Sequence, residues 1–331
     1  MKNLTYVGIG TGSATTLILV ILFINTPNSV EDENDIQKIY EYSLNLVNED
    51  RKNHGFTELA LGDNGAAQIR ADDMLKNKYF SHWSSEKTKP YVAYSKTGGK
   101  GLVIENIAQT EWRCTGNCML GLSDMLGEIT LHEKNMVYDD AHVNWSHRDT
   151  ILDPYVTKVN FGISYNDEYL YFVQHFERNL IEWDNISLET DGTLLLSGSM
   201  SPKFTLDKIF IYKDPEPIRL TSDELNSEKP YSNPYYDSGM LAGIIVHESE
   251  SQRYNECEDG KLVIETEFDK NLCISYKTYS NKSLEENEID ISIDVSDWLN
   301  QNGVHTMYVQ IYDINNDRMV EATSLTLEYL N

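Results

Sequence analysis

His147-Arg148-Asp149-Thr150-Ile151-Leu152-Asp153-Pro154 leads into two alternating runs, Val159 to Tyr165 and Tyr169 to Glu177. A period of two marks strands, and Asn166-Asp167 between the runs is hairpin-turn material. Working back along the chain, the period changes to that of a helix. Leu122, Met125, Leu126 and Ile129 share one face of a segment from about Cys118 to Met136. Ala67, Ala71, Met74 and Leu75 do the same between Asn64 and Lys78. Ile36, Ile39, Tyr40, Ser43, Leu44 and Val47 define a first helix, with Asp35 as its cap and Gly55 as its stop. Helices first and strands last predict an α+β unit over residues 36–180.

Beyond that unit the pattern is all β. Thr193–Ser197, Lys208–Tyr212, Leu262–Glu267, Ile289–Val295 and Thr306–Tyr312 read as short strands separated by Gly, Asn, Asp and Pro clusters. This spacing predicts an immunoglobulin-like β-sandwich over residues 186–331. At the other end, Leu4 to Asn25 has no charged residue, Lys2 precedes it and Glu31-Asp32-Glu33 comes soon after. That run is long enough to span a bilayer, and the charge asymmetry places the rest of the chain outside the cell. Residues 1–35 are therefore expected to form a transmembrane anchor and tether, with residues 36–331 extracellular. Cleavage as a signal peptide is the alternative, and it would leave a secreted protein.

The 331 residues hold 53 acids against 27 bases, a formal charge of −26. No Lys/Arg run is available to release counterions from phosphates, so nucleic acid is not an expected partner. The membrane and an extracellular ligand are. Four cysteines in an exported chain suggest two disulfides. Three pairings exist, and the local ones are simplest: Cys114 with Cys118, and Cys257 with Cys273. The Cys-x3-Cys pair is alternatively a metal-binding element. His132-Glu133-Lys-Asn-Met136 lacks the second histidine of a zincin helix, and no Gly-x-Ser-x-Gly elbow occurs.

Five stretches carry the chemistry. Asn48-Glu49-Asp50-Arg51 lies on the first helix. Phe80-Ser81-His82 comes after the second. Glu105-Asn106-Ile107-Ala108 comes next, then His147-Arg148-Asp149-Thr150-Ile151-Leu152, then the strand pair. In this order the set resembles the microbial branch of the CAP superfamily, also called SCP. The resemblance covers about residues 36–180 and implies a three-layer α-β-α sandwich. It also implies a cleft in which two histidines and two glutamates face one another. By motif these are His82, His147 and Glu105, with the second glutamate supplied by the long helix. Glu133 is favoured because it lies nearer His147, whereas Glu128 matches the spacing of the eukaryotic branch. An eleven-residue insertion, Met136 to Ser146, precedes the second histidine. Its Asp139, Asp140 and His142 either add ligands or cap a helix and line a solvated loop.

Neutral imidazoles with carboxylates beside them suit a divalent ion, zinc above all, with a position left open to water. His82, His147 and Glu105 are the expected ligands. Each residue taken alone also reads as an ordinary hydrogen-bonded structural group. The leading expectation is a recognition module for a small apolar ligand, a glycan or a protein. A metal-dependent, peptidase-like hydrolase using the same cleft is the second, and a structural envelope or adhesion protein the third.

Overall fold

The computed structural model describes residues 33–112, 121–227, 239–252, 254–257, 260–264, 272–280, 287–299 and 303–328. The apolar run Leu4 to Asn25, and Cys114 with Cys118, lie outside these residues. Among the described residues no helix is long and apolar enough to cross a membrane.

The first unit contains α1 (Glu33–Asn53), β1 (Ala60–Leu61), α2 (Ala66–Asn77), α3 (Pro90–Lys96), β2 (Leu102–Glu111), α4 (Leu122–Tyr138), α5 (Ser146–Ile151), β3 (Lys158–Tyr165) and β4 (Tyr169–Arg178). α1 starts two residues before the expected Asp35 cap, so Asp35 falls in the first turn and pairs with Lys38 at 2.8 Å. Gly55, at φ +81°, turns the chain out of it. Gly65 is the N-cap of α2, and Asn64 Oδ1, one residue before it, accepts the first helical N–H, that of Ala66.

The sheet has the order β1-β3-β4-β2. Ile39 and Val47 of α1 and Met125 and Ile129 of α4 bury against Phe161, Phe172 and Phe176 on one face. Ala67, Ala71 and Met74 of α2 bury against Ile107, Tyr171 and Val173 on the other. The result is three layers, α-β-α. β2 escapes the period-two test because its side chains are covered on both faces, so apolar residues do not alternate with polar ones.

α2 sits so close to the sheet that a Cβ on Gly162 would come within 2.0 Å of Ala67 O. The obstacle is helix backbone, which cannot rotate away. Gly162→Ala is therefore expected to cost about 1–3 kcal/mol, read as a lowered denaturation midpoint with an unchanged slope.

The second unit begins without a linker. β5 (Ile181–Leu188), β6 (Thr193–Met200), β7 (Phe204–Lys213), α6 (Ser222–Ser227), β8 (Met240–His247), α7 (Glu248–Ser251), β9 (Leu262–Ile264), β10 (Leu272–Ile274), β11 (Tyr276–Tyr279), β12 (Glu288–Asp294), β13 (Val304–Asp313) and β14 (Arg318–Glu328) complete the chain. β5 already occupies the interval between residues 180 and 186. Its pattern mixes polar residues into both faces, so no period marks it in the sequence. Sheets β12-β6-β5 and β11-β8-β7-β13-β14 enclose one apolar core that includes Leu194, Leu196, Ile209, Ile289, Met307 and Val309. Cys257 and Cys273 are disulfide-bonded, as expected.

The two units are tied together by buried polar contacts. Lys89 Nζ donates to Asp214 Oδ1 at 2.8 Å, and both side chains are buried. Thr306 also donates to Asp214. Tyr155 OH donates to Asp313 Oδ2 at 2.9 Å. The segment joining β7 to α6, with α6 itself, straps across the turn that comes after α2. The N–H groups of Ile218 and Leu220 donate to Glu86 O and Ser85 O. Asn226 Oδ1 accepts from Phe80 N, and Leu225 buries with Met74, Tyr79 and Trp83. The second unit thus holds the segment that carries His82.

Candidate functional site

The family-like motifs divide into scaffold and site. Asn48 and Arg51 belong to the scaffold. Asn48 exchanges two hydrogen bonds with the backbone of Leu59. Arg51, fully buried, donates to Thr57 O, Ile151 O and Asp153 O at 2.6–3.0 Å. It thereby satisfies carbonyls at the end of α5 that no later turn can reach.

The remaining residues form two networks, sorted by strand geometry. Consecutive strand residues project to opposite faces. Glu105 and Asn106 are consecutive on β2, opposite His175 and Gln174 of β4. Glu105 and His175 lie on the α2 face, and Asn106 and Gln174 on the α4 face.

On the α2 face Glu105 is completely buried. Its Oε1 meets His82 Nδ1 at 2.8 Å and its Oε2 meets His175 Nε2 at 2.8 Å. Arg70 Nε stands 3.4 Å from Oε2. Arg70 also donates to Ser81 O at 2.6 Å, fixing the turn that presents His82. Burial alone would raise the Glu105 pKa. The Arg70 charge and the bonds from His175 and His82 outweigh it and hold this carboxyl well below the usual range.

On the α4 face Asp140 is the organiser. One oxygen accepts from the backbone N–H groups of His147 (2.9 Å) and Arg148 (3.2 Å), capping α5. The other meets His147 Nδ1 at 2.7 Å. The insertion therefore supplies a cap and an orienting carboxylate, in keeping with a capping loop rather than added ligands. Asn144 and Trp145, at φ +56° and +62°, make the sharp turn between Asp140 and α5. Non-glycine residues in this region cost of order 1–3 kcal/mol each. Here the turn sets Trp145 at the surface, 36% exposed, with the Arg148 guanidinium 5.2 Å from its ring.

Asn106 Nδ2 lies 3.3 Å from both His147 O and Gln174 Oε1. Gln174 Nε2 in turn donates to Glu133 Oε2 at 2.6 Å. Glu133 is buried, its Oε1 has no hydrogen-bond partner, and burial, reinforced by the Asp50 charge, raises its pKa to about 8. Glu133 and not Glu128 belongs to this network. Glu128 accepts from Thr110 Oγ1 beside His132, at the far end of β2.

His82 pairs with Glu105, His147 with Asp140 and Glu133 with Gln174. Both Glu105 oxygens already face imidazole nitrogens, with a guanidinium alongside. Glu133 sits behind an amide relay. Among the described residues no group of three or more His, Cys, Asp or Glu side chains is placed to hold a metal ion.

Arg70, His175, Gln174 and Asp140 complete the site, and the sequence alone gives none of them a settled role in it. Their signal is available in part. Two polar pairs, Glu105 with His175 and Asn106 with Gln174, interrupt otherwise apolar partner strands at matched positions. A buried polar pair in register needs partners from the layers above and below.

Asp140→Ala removes a cap and frees the His147 ring. A loss of about 1–2 kcal/mol is expected from the cap, measured by chemical denaturation. Loss of a single defined His147 ring environment should appear by NMR.

The model of the cysteine-rich secretory protein family, CAP, matches residues 44–176. No curated protein matches the chain. Among solved structures, an extracellular protein containing an SCP domain from Bacillus anthracis is 21% identical, with 43% of this chain and 41% of that one covered and a TM-score of 0.30. The CAP domain of Enterococcal PrgA is 19% identical over 44% of this chain and 62% of its own, with a TM-score of 0.32. An outer surface protein from Borrelia burgdorferi is 16% identical over 46% of this chain and 98% of its own, with a TM-score of 0.34. The chain thus spans less than two thirds of the first two structures.

Proposed function

Residues 44–176 being a CAP domain, we propose that the chain is an extracellular recognition protein, held at the cell surface by Leu4 to Asn25 and binding a glycan at the His147 rim. The observation that carries this reading is the saturation of Glu105. A carboxylate that faces two imidazoles and a guanidinium in full burial is spent on rigidity. The accessible chemistry lies at the edges. His147 is 23% exposed on its side chain and His82 19%. Trp145 and Arg148 flank His147 with an aromatic face and a fork of donors, the combination that suits the apolar faces and hydroxyl edges of a sugar.

The extracellular placement draws support from the charge asymmetry around the apolar run and from the neighbours described as extracellular or outer-surface proteins. Within this reading residues 1–35 are anchor and tether, residues 36–180 the three-layer CAP unit, and the chain from β5 at Ile181 onward an immunoglobulin-like sandwich that braces it. A hydrolase is the second reading, because an aspartate holds the His147 ring in one orientation, as a general base requires.

Calorimetry with an oligosaccharide panel separates the two. Trp145→Ala and His147→Ala are each expected to weaken binding by about tenfold or more, with no hydrolysis products from oligosaccharide or casein. Turnover that vanishes in His147→Ala would overturn recognition in favour of hydrolysis.

A further inference from the structure

The strap from Asp214 to Ser227 belongs to the second unit in sequence and lies along the first. It opens as Asp214-Pro215-Glu216-Pro217. The two prolines fix φ and restrict the segment before it docks, so less conformational entropy is lost in laying it down. Its root is on β13, where Thr306 donates to Asp214, and Lys89 Nζ meets the same carboxylate at 2.8 Å. From there it follows the turn that carries His82 in the opposite sense. The N–H of Ile218 donates to Glu86 O at 3.1 Å, and that of Leu220 to Ser85 O at 3.0 Å. α6 closes the far end. Ser222 Oγ donates to Asn77 O at 2.5 Å, and Asn226 Oδ1 accepts from Phe80 N at 2.8 Å. Thr221 and Glu224 exchange hydrogen bonds across the first turn of this short helix, and Leu225, 1% exposed, anchors it among Met74, Tyr79 and Trp83.

His82 sits between these attachments. Two residues before it, the Phe80 N–H is held by Asn226 of the second unit. One residue before it, Ser81 O is held by Arg70 of the first, at 2.6 Å. One residue after it, Trp83 packs with Leu225. Arg70 also stands beside Glu105, whose Oε1 meets His82 Nδ1 at 2.8 Å. The ring therefore closes a circuit that runs through Asn226, Phe80, Ser81, Arg70 and Glu105. We infer that Asn226 and Leu225 are positioning residues for His82, and that the strap carries a movement of the second unit's β13 to that ring.

Geometry makes the coupling specific. A hydrogen bond weakens steeply as its angle closes, so a small displacement of the Phe80–Ser81 backbone is felt at Nδ1. Glu105 cannot follow the ring, because its other oxygen meets His175 and its side chain is completely buried. The His82 side chain is 19% exposed, so a change in its orientation alters a surface that a ligand can reach. His147 is the internal comparison. It is held by Asp140 on the α4 face of the sheet, away from the strap.

NMR of the full chain labelled with ¹⁵N, read at the imidazoles and by hydrogen exchange at the Phe80 amide, tests this. Asn226 is exposed, so Asn226→Ala does not threaten folding. It is expected to speed exchange at Phe80 by about fivefold, the worth of one hydrogen bond. The His82 ring resonances should shift or broaden with it, while those of His147 stay in place. Asn226→Asp keeps an oxygen acceptor and should restore both readouts. Leu225→Ala withdraws the apolar anchor and should move His82 as Asn226→Ala does. Thr306→Val removes one of the bonds that root Asp214 on β13, and it too should move His82 and leave His147. His82 resonances unmoved in Asn226→Ala would overturn the inference, as would failure of Asn226→Asp to restore them. Equal movement of His82 and His147 would mark general loosening and overturn it as well. So would a His82 ring that ignores Leu225→Ala or Thr306→Val.

Discussion

Replacing Glu105 with alanine is expected to remove about 3–5 kcal/mol of stability, a large share of the total for a domain of this size. The reason is the set of groups left behind. Arg70 stays buried without its nearest carboxylate, and His82 and His175 each lose an acceptor. The double variant Arg70→Met, Glu105→Leu removes both charges together and should recover much of the loss, because neither charge then has to be desolvated. The pH dependence has a definite sign. The folded pKa of Glu105 is depressed, so its contribution is fully present above the ordinary carboxylate value near 4.5 and is lost as pH falls through the folded value. The gap between wild type and Glu105→Ala should therefore be widest at neutral pH and narrow in acid. Urea denaturation at a series of pH values reads both effects. A gap that stays constant into strong acid would show that Glu105 is not ionised in the native state.

Glu133→Gln is expected to stabilise the protein, by several kcal/mol at pH 8. Glu133 is buried with one unpartnered oxygen, and its pKa is raised from 4.5 to about 8. For a raised pKa the native state favours the protonated form. Its contribution is fully present below pH 4.5 and is lost as pH rises to about 8, at ~1.4 kcal/mol per pH unit. Glutamine copies the protonated carboxyl in shape and cannot ionise. Gln174 Nε2 keeps its acceptor, so the relay to Asn106 and the His147 carbonyl survives. Wild type should lose stability steadily from pH 5 to pH 8, and Glu133→Gln should hold level over the same range. Parallel curves for the two proteins would show that Glu133 is ionised when folded.

The sequence exposes those parts of the fold where one face is apolar and the other wet. α2, α4, β3 and β4 are readable from period alone, with ends within a few residues of those found. β2 is not, since both of its faces are covered and its apolar run is broken by Glu105-Asn106. β5 is not, because polar residues sit on both of its faces. The site shows the same split. His82, Glu105 and His147 are identified by motif and Glu133 is favoured over Glu128 by its nearness to His147, and all four are in the networks. What motif order cannot supply is the face on which each side chain leaves its strand. One residue of offset sends Glu105 toward α2 and Asn106 toward α4, and each joins a different hydrogen-bond system. Asp140 is ambiguous for a different reason. An aspartate before a helix is equally a cap and a ligand until the distances to His147 and Arg148 are known.

Glu105 is fixed by Arg70, His82 and His175, and His147 is fixed by Asp140 in a separate hydrogen-bond network. Zinc titration followed by the ¹⁵N resonances of the imidazoles tests both statements at once, with the double variant His82→Ala, His147→Ala as the comparison. His82 and His147 are expected not to respond together to zinc, and the double variant is expected to take up zinc as wild type does. Coincident saturation of His82 and His147 at stoichiometric zinc, abolished in the double variant, would contradict the separation of the two networks.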